Sequence, residues 1–413
     1  MDKKANKPSI RFAGFTDAWE QRKLGGLGQT YNGLSGKTKE DFGHGEASFI
    51  TYMNVFSNPI SDTQMVEPIE VDVSQNEVSI GDVFFTTSSE TPEEVGMSSV
   101  LLEKRGTTYL NSFCFGYRLV KKVDLHYLAY MLRSYRVRKR ITFLAQGISR
   151  YNISKNKVME IEIPLPSLQE QELIGIYFRD LDDLITLHQR KHDKLVNIKK
   201  SMLEKMFPQH GADVPEIRFT GFTNAWKQRI LKEISDKIIE KNTSRAHRET
   251  FTNSAEFGII SQRDYFDHDI SNVENLGNYY MVKDDDFVYN PRISTTAPVG
   301  PINRNKLGKI GVMSPLYTVF RTHDIDRTYL EYFFKSRCWH SYMKFNGDSG
   351  ARSDRFSIKD SVFMEMPIPY PKIEEQERIG KYLTLLDTLI ILYQSKLTKL
   401  QNIKKSCLEK MFV

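Results

Sequence analysis

The sequence has few cysteines and no long apolar run, and both absences narrow the class of protein. Its three cysteines, Cys114, Cys338 and Cys407, are scattered and odd in number, and none forms a C-x-x-C pair. Neither a disulfide framework nor a zinc site is therefore indicated. No run of 18 or more apolar residues occurs, and the opening MDKKANKPSI has no apolar segment typical of a signal peptide. We expect a cytoplasmic protein that does not enter a membrane.

Recognisable catalytic and cofactor motifs are also missing. The segment GLSGKT at 33–38 ends like a phosphate-binding loop, but Tyr31 stands where that loop requires its first glycine. The segment YNPR at 289–292 lacks the second proline of the N-P-P-aromatic motif of amino-methyltransferases. There is no H-E-x-x-H zinc motif and no G-x-S-x-G nucleophile motif. We therefore predict no catalytic residue, no metal site and no cofactor in this chain.

The composition is typical of a folded protein with two or three domains. The chain has 413 residues, of which 40% are hydrophobic and 27% charged, so each half can bury a core. The formal net charge is +6. That excess permits nucleic acid or an acidic protein as a partner, but solubility alone explains it equally well.

Two long segments occur twice. PSIRFAGFTDAWEQRKL at 8–24 returns as PEIRFTGFTNAWKQRIL at 215–231, and the segment at 163–207 returns at 368–412 with the shared ending NIKKSxLEKMF. A spacing of about 200 residues is far too long for a solenoid unit. The sequence therefore predicts two copies of a whole domain, each followed by a helix. The chain divides into a globular domain at 1–162, a helix at 163–208, a second globular domain at 209–367 and a second helix at 368–413.

The two globular domains diverge but keep a common skeleton. Segments 79–86 and 282–290 each combine a turn with a short apolar strand, and segments 125–134 and 327–336 have helical spacing. Strands and helices do not alternate regularly, which favours an α+β fold over a Rossmann sheet. Trp19 and Trp226 recur among apolar neighbours, so we expect both in the core.

The helical segments carry an apolar seam that steps by three and four residues, as in a coiled coil. His188 and Lys191 form a polar layer near its middle. An apolar stripe needs a partner, and we expect the two helices to pair antiparallel and separate the two domains. The alternative is that each helix packs on its own domain. The apolar seam positions are Ile174, Tyr177, Leu181, Leu184, Leu195, Ile198, Met202, Ile379, Tyr382, Leu386, Leu389, Leu400 and Ile403.

The repeated segments resemble the specificity subunit of Type I restriction-modification enzymes. The resemblance rests on IPLPSLQEQELIG and IPYPKIEEQERIG, on the two NIKKSxLEKMF endings, and on the RFxGFTxAW openings. It implies two target-recognition domains spaced by two antiparallel helices, each domain reading one half of a bipartite, asymmetric site in double-stranded DNA. It also implies partners. Two modification subunits would carry S-adenosylmethionine and methylate adenine, and restriction subunits would use ATP and Mg²⁺ to translocate and cut.

Under that resemblance, polar side chains on loops are the candidates for DNA contact, because bases are read by groups that reach into a groove. In the first domain these are Thr86, Thr87, Ser88, Ser89, Ser149, Arg150, Tyr151 and Asn152. In the second they are Gln262, Arg263, Asn290, Arg292, Ser294, Thr295, Arg352, Ser353, Arg355 and Phe356. If the two copies are matched at the spacing of the repeated helices, Arg355 is the equivalent of Arg150. The basic segment RVRKR at 136–140 could neutralise phosphates or form the wet face of a helix.

Two other functions compete with a DNA-targeting subunit. A self-contained restriction and methylation enzyme would need cofactor and catalytic motifs that the sequence does not show. A coiled-coil scaffold with protein-binding ends would need no DNA contacts. Duplex binding with and without a methyltransferase partner separates the three.

Overall fold

A computed structural model describes residues 7–209, 212–266, 273–348 and 354–413. The chain forms two compact units. Unit 1 comprises Met1–Arg190 and Gln394–Val413, and unit 2 comprises Lys191–Tyr393. Each unit mixes helices with mostly antiparallel sheets, so the α+β class expected from the sequence is confirmed.

Unit 1 contains eleven strands among its described residues, β1 to β11, and they make four sheets. The largest has the order β2-β9-β5-β7, and a second has the order β4-β3-β8, in which β3 and β8 run parallel. The pairs β1–β11 and β6–β10 complete the set. The strands are Glu20–Lys23, Gly28–Asn32, Phe42–Ile50, Val66–Ile69, Val83–Thr86, Ser88–Ser89, Ser98–Val100, Thr108–Leu110, Cys114–Leu119, Tyr151–Asn152 and Glu162–Leu165. The helices are α1 Tyr52–Ser57, α2 Leu125–Leu132, α3 Tyr135–Phe143, α4 Lys155–Met159 and α5 Leu168–Lys205, whose last residues belong to unit 2.

Unit 2 repeats the plan. Its four-stranded sheet has the order β13-β20-β17-β18, and the pairs β12–β21, β14–β15 and β16–β19 are all antiparallel. The strands β12 to β21 are Lys227–Ile230, Ser235–Lys237, Phe251–Ser254, Gly258–Ser261, Tyr280–Val282, Phe287–Tyr289, Ile302–Arg304, Gly311–Met313, Thr318–Thr322 and Pro367–Tyr370. The helices are α6 Gln262–Phe266, α7 Arg327–Lys335, α8 His340–Asn346, α9 Asp360–Phe363 and α10 Ile373–Lys410, whose last residues belong to unit 1.

The strands and helices expected at the repeated skeleton are present as β5, β17, α2 and α7. Both tryptophans are in the core, as the sequence predicts: Trp19 is 2% exposed and Trp226 is 5% exposed. In each unit the indole lies edge-on to a buried tyrosine of α2 or α7, Tyr127 or Tyr329, with ring centroids 6.2 Å apart.

A buried glutamine fixes the start of each long helix. Gln171 lies in the first turn of α5, donates from Nε2 to the carbonyl of Pro166 at 2.8 Å and accepts from the amide of Asp124 at 3.0 Å. Gln376 makes the same two bonds at the start of α10, to Pro371 and Asp326. The glutamine in the repeated E-Q pair therefore joins each long helix to the N-cap of α2 or α7.

Glycine is required where α5 approaches α2 and where α10 approaches α7. A Cβ at Gly175 on α5 would lie 2.5 Å from Oδ1 of Asp124, the N-cap residue of α2. That distance is shorter than any normal contact, so a side chain would push α2 away. Gly380 holds the matching place on α10, where a Cβ would lie 3.1 Å from Oδ1 of Asp326.

The long helices pair antiparallel in each unit, as the sequence predicts. Each has 38 residues, about 57 Å at 1.5 Å per residue. In unit 1 the hydroxyl of Tyr177 lies 3.5 Å from Sγ of Cys407, and Asp182, further along α5, forms an ion pair with Lys404, earlier on α10. In unit 2 Lys199 forms an ion pair with Asp387.

The predicted seam is wrong at one apolar position. Leu184 is 45% exposed, whereas its neighbour Ile185 is half-buried. On α10 Lys396 is exposed at the position equivalent to Lys191, and its neighbour Leu397 is buried at 1% exposure. A helix has 3.6 residues per turn, so a strict 3.5-residue pattern drifts by about 20° per heptad and the buried face shifts by one position.

The other predicted seam residues differ in burial. Four are buried: Ile174, Leu181, Ile379 and Leu386. Eight are half-buried: Tyr177, Leu195, Ile198, Met202, Tyr382, Leu389, Leu400 and Ile403. Of the polar layer, His188 is half-buried, while Lys191 is exposed with its Nζ 5.8 Å from the ring centre of Tyr393.

Candidate nucleic-acid interface

In unit 1 the structure brings together the two loops that the sequence singled out. Strand β6 pairs antiparallel with β10, so that Ser88 lies opposite Asn152. The next residue, Ile153, donates its amide hydrogen to the carbonyl of Thr87 at 3.0 Å. Arg150, just before β10, donates from Nη2 to Oγ of Ser88 at 3.3 Å. The two segments therefore form one surface.

Three of the predicted contact residues on that surface are buried. Thr86 is 0% exposed, Ser88 4% and Ser89 8%. The hydroxyl of Thr86 accepts the amide hydrogen of Met97 at 3.0 Å, so it holds the fold together. Side chains so covered would reach a base only after their loop had opened, so these three predicted residues are poorly placed for DNA contact. The sequence does not indicate this burial, which arises because β5 continues into the covered strand β6.

The exposed part of the surface is smaller. Ser149, Arg150 and Asn152 are exposed, and Thr87 and Tyr151 are half-buried. The hydroxyl of Thr87 donates to the carbonyl of Phe113 at 2.8 Å. Arg150 and the exposed serine and asparagine are thus the donors that a groove could receive.

Phe113 is a member of this surface that the sequence did not indicate. It is 53% exposed, and the guanidinium of Arg150 lies 5.6 Å from its ring centre. Such a cation–π contact restricts the arginine and leaves its outer edge open. The only signal in the sequence is an aromatic residue in the polar turn NSF, which is too common a pattern to identify a site.

Unit 2 has the equivalent surface. Arg292 and Arg355 lie opposite each other in a short antiparallel bridge. The amide of Ile293 donates to the carbonyl of Asp354 at 3.0 Å, and the amide of Phe356 donates to the carbonyl of Pro291 at 2.8 Å. Two arginines from distant segments are therefore neighbours.

The backbone bonds correct the matching of the two copies. Ile153 bonds Thr87 in unit 1 just as Phe356 bonds Pro291 in unit 2. Arg355, which precedes Phe356, therefore occupies the place of Asn152 and not that of Arg150. The segment that joins this position to the next short helix, α4 or α9, is longer in the second copy, so the spacing taken from the long helices does not hold before it.

The predicted residues of unit 2 also divide into exposed and covered groups. Arg292, Ser294 and Thr295 are exposed, and Arg355 is half-buried. Phe356 is only 7% exposed and packs in the core, so it is poorly placed for the predicted DNA contact. Arg352 and Ser353 lie outside the described residues.

Both polar atoms of the Asn290 side-chain amide form hydrogen bonds within the protein. Its Nδ2 donates to the carbonyl of Asn253 at 2.8 Å, and its Oδ1 accepts from the amide of Arg292 at 2.9 Å. Its structural role is to hold the start of the exposed loop. Gln262 and Arg263 begin helix α6 rather than a loop. Gln262 is half-buried and Arg263 is exposed.

The basic segment at 136–140 contains one arginine bonded within the protein and other cations that are exposed. Arg138 donates to three carbonyl oxygens, of Glu93, Val95 and Gly96, and burial lowers its pKa to about 10. It is a structural cation. The remaining cations are exposed and line a groove of about 750 Å³ beside β1 and α4. They are Arg136, Lys139 and Arg140, and Lys157 of α4 and Lys23 of β1 line the same groove.

Comparison with known families identifies the two halves of the chain. The model of the Type I restriction modification DNA specificity domain matches twice, at residues 16–197 and 223–402. The chain belongs to this family. It is therefore a specificity subunit of the Type I restriction-modification class, and DNA binding is a property of that class.

Two curated relatives come from Methanocaldococcus jannaschii. One bears the provisional name type I restriction enzyme MjaX specificity subunit, and it is 23% identical over 98% of this chain and 95% of its own length. The second, the type I restriction enzyme MjaVIII specificity subunit, is 24% identical over 63% of each protein. Both similarities extend across parts of the two repeats rather than a single motif.

Solved structures show the same fold. The S subunit of a Type I restriction-modification system from M. genitalium has a TM-score of 0.52 at 15% identity, with 98% of this chain and 99% of that chain covered. The HsdS subunit from Thermoanaerobacter tengcongensis has a TM-score of 0.50 at 18% identity, with coverages of 95% and 96%. At such identities the likeness concerns the fold alone, and the surface loops of this specificity subunit must be judged from its own residues.

In the described part of this specificity subunit, no group of three or more His, Cys, Asp or Glu side chains is placed to hold a metal ion. None of the described helices is long and apolar enough to cross a membrane. The candidate interface therefore consists of exposed arginines and small polar residues on paired loops, with a basic groove beside it in unit 1.

Proposed function

We propose that this specificity subunit reads a bipartite, asymmetric DNA site, with unit 1 reading one half and unit 2 the other. The observation that supports it most is the pair of equivalent loop surfaces. Each unit presents an exposed arginine on two bridged segments, Arg150 in unit 1 and Arg292 in unit 2. The surrounding residues differ, so the two surfaces would select different bases.

The chemistry of the exposed residues suits this division. Arginine can donate two hydrogen bonds to O6 and N7 of guanine, and asparagine can do the same for adenine. Among the described residues of the bridged segments, the exposed side chains of these types are Arg150, Asn152 and Arg292. The cations Arg136, Lys139 and Arg140 would instead contact phosphates, which fix the register without reading sequence.

The proposal includes the partners implied by the family resemblance. Two modification subunits would bring S-adenosylmethionine and methylate adenine, and restriction subunits would bring ATP and Mg²⁺ for translocation and cleavage. This chain would supply recognition of the DNA site and no catalytic group. The repeated helices α5 and α10 and the divergent loops fit that role, because docking can then be shared while each recognition surface differs.

The test uses the methyltransferase assembled from this chain and its modification subunits. A duplex is first selected from a random pool, and affinities are then measured for single-base changes in either half-site at two salt concentrations. If Arg150 reads a base, Arg150→Ala should cost about 1–3 kcal/mol and relax preference at one position of one half-site. Arg292→Ala should act on the other half-site. Arg22→Ala is the matched control, since Arg22 is an exposed arginine already paired with Glu20 at 2.7 Å.

Each alternative has its own result. An arginine that only contacts phosphate would weaken binding about equally on all sequences and make the salt dependence shallower. Selection of no duplex by the assembled complex would contradict the proposal as a whole. A variant at Arg150 that altered both half-sites equally would contradict independent reading by the two units.

A further inference from the structure

Helices α3 and α8 occupy the same place in the two units and present the same exposed residue. Val137 and Ile141 of α3 face the core at 1% and 0% exposure, and Trp339 and Met343 of α8 do so at 3% and 0%. Two residues after the second core residue in each helix comes a phenylalanine that is 89% exposed, Phe143 in unit 1 and Phe345 in unit 2. Two residues correspond to about 200° around a helix, so the ring must point to solvent.

The agreement between the copies is confined to that residue. Among the residues of this segment that are exposed or half-buried in both copies, the pairs differ in type: Tyr135 and Arg337, Arg136 and Cys338, Arg138 and His340, Lys139 and Ser341, Arg140 and Tyr342, and Thr142 and Lys344. A bare phenylalanine gains nothing from water and contributes nothing to the core. Its retention in both copies of an otherwise divergent surface points to a partner common to the two units.

The charge around Phe143 indicates which partner. Phe143 lines the basic groove with five exposed cations and two glutamates. One cation, Lys23, forms an ion pair with Glu160 at 2.5 Å, so four cations remain against Glu162. Next to Phe345 in the chain, the side chain of Lys344 is also exposed. The centres of protein–protein interfaces are depleted in lysine, whereas a ring of cations around an apolar tip matches a polyanion.

The position along the chain points the same way. The segment that follows Phe143 enters the candidate interface directly. Gln146 exchanges two backbone hydrogen bonds with Asn152, at 2.9 and 2.8 Å. In unit 2, Asp348 makes a similar backbone pair with Ser357, two residues after the bridged Arg355. Each phenylalanine therefore stands at the edge of the surface that faces DNA in the proposed function.

We propose that Phe143 and Phe345 insert between base pairs of the DNA as apolar wedges, one beside each half-site, and kink the duplex there. Proteins that bend DNA commonly use such wedges, and the cost of unstacking one step is offset by closer contact of the flanking phosphates with cations. The inference rests on the proposed function, since it requires that the two units bind DNA. It adds that the recognised DNA is bent, and that the bending residues are shared while the reading residues differ.

The first experiment places the photoreactive residue p-benzoylphenylalanine at position 143 in the assembled methyltransferase, bound to the duplex that the wild-type complex selects from a random pool. An adduct with DNA near one half-site is the expected result, and the same substitution at 345 should mark the other half-site. The control position is Val73, which is 97% exposed in unit 1 and follows strand β4. It should give no DNA adduct.

The second experiment measures bending by energy transfer between the ends of the same duplex. Phe143→Ala should reduce the bend and weaken binding roughly tenfold on all sequences, since the wedge reads no base. Phe143→Leu should retain most of both, because an apolar wedge remains. The ring makes no contribution to the core, so the variants should fold normally.

The outcomes separate this inference from the function on which it rests. An adduct with a modification subunit and none with DNA would show that the phenylalanine docks a protein, and would overturn the wedge. Absence of a DNA adduct, or an unchanged bend in Phe143→Ala, would also overturn it while selective binding by the wild type left the proposed function standing. If the wild-type complex selects no duplex, the proposed function and the wedge fail together.

Discussion

Phe412, two residues after the end of α10, stacks on Phe178 of α5 with ring centroids 5.6 Å apart. It also lies 5.7 Å from the ring of Tyr127 and is 1% exposed, in the core of unit 1. Phe207, the matching residue after α5, is 0% exposed and packs on Tyr329 in unit 2. The core of each unit is thus completed by the helix of the other copy.

Phe412→Ala should destabilise unit 1 by about 3–5 kcal/mol, because truncation of a buried phenylalanine leaves a cavity. Phe207→Ala should have the same effect on unit 2. Hydrogen exchange measured by mass spectrometry distinguishes the two, since the core amides of only one unit should lose protection in each variant. Phe143→Ala, on the surface, should change stability by less than about 0.5 kcal/mol. Equal loss of protection in both units from one substitution would contradict the assignment.

Arg11→Ala should also destabilise unit 1. Arg11 donates from Nε and Nη2 to the two carboxylate oxygens of Glu170, at 2.7 and 2.8 Å, and Glu170 is 1% exposed. Removal of the arginine leaves a buried carboxylate without its partner, which costs about 3–5 kcal/mol. Thermal unfolding of the variants measures this effect. The control is Arg22→Ala, in an exposed pair, which should cost at most about 1 kcal/mol.

Adding Glu170→Gln to Arg11→Ala should recover part of the lost stability, because a neutral amide is less costly to bury than a charge. A double variant less stable than Arg11→Ala would show that the carboxylate is not the source of the loss. The pair Arg218 and Glu375 offers the same test in unit 2, with distances of 2.6 and 2.8 Å.

The position of the helical seam can be tested with two neighbouring leucines. Leu181 is 6% exposed and Leu184 is 45% exposed. Leu181→Asp should cost about 3 kcal/mol or more, because it buries an unpaired charge, whereas Leu184→Asp should cost less than about 0.5 kcal/mol. Denaturant unfolding of both variants measures the difference. A larger loss for Leu184→Asp would restore the register that the sequence pattern suggested.

The purified chain by itself should transfer no methyl group from labelled S-adenosylmethionine to any duplex and should cut none. The reason is the absence from its sequence of the cofactor and catalytic motifs that these reactions require. The measurement is incorporation of label into DNA with and without the modification subunit. Incorporation by the chain alone, after contaminating partner protein has been excluded, would contradict a purely targeting role.

The architecture was predictable because two long segments of the sequence occur twice. Segments such as IPLPSLQEQELIG and IPYPKIEEQERIG match residue by residue, so the domain repeat, the long helices and their antiparallel pairing all followed from pattern. The contacts that explain why these residues are repeated could not be predicted from the pattern. Nothing in the sequence indicates that Glu170 pairs with Arg11, or that Gln171 joins α5 to α2, because these contacts link segments far apart in the chain.

The sequence could indicate the segments of the candidate interface but not which of their residues are exposed. Arg150, Arg292 and Arg355 lie on segments that bridge in the structure, and burial decides which of their neighbours are exposed. Thr86 and Phe356 have residue types that suit DNA contact, and packing covers both. Polar type and loop position do not determine exposure, so a single sequence could not separate these residues from the exposed arginines.

The ion pairs between the long helices have one further consequence. Asp182 of α5 pairs with Lys404 of α10, and Lys199 of α5 pairs with Asp387 of α10. Asp182 and Asp387 are equivalent residues of the two copies, as are Lys199 and Lys404. Each helix thus carries both the acid and the base of the arrangement. If recombination exchanged these helical segments between the copies, every acid would still meet a base, so the two copies can trade this part of their sequence without charge conflict.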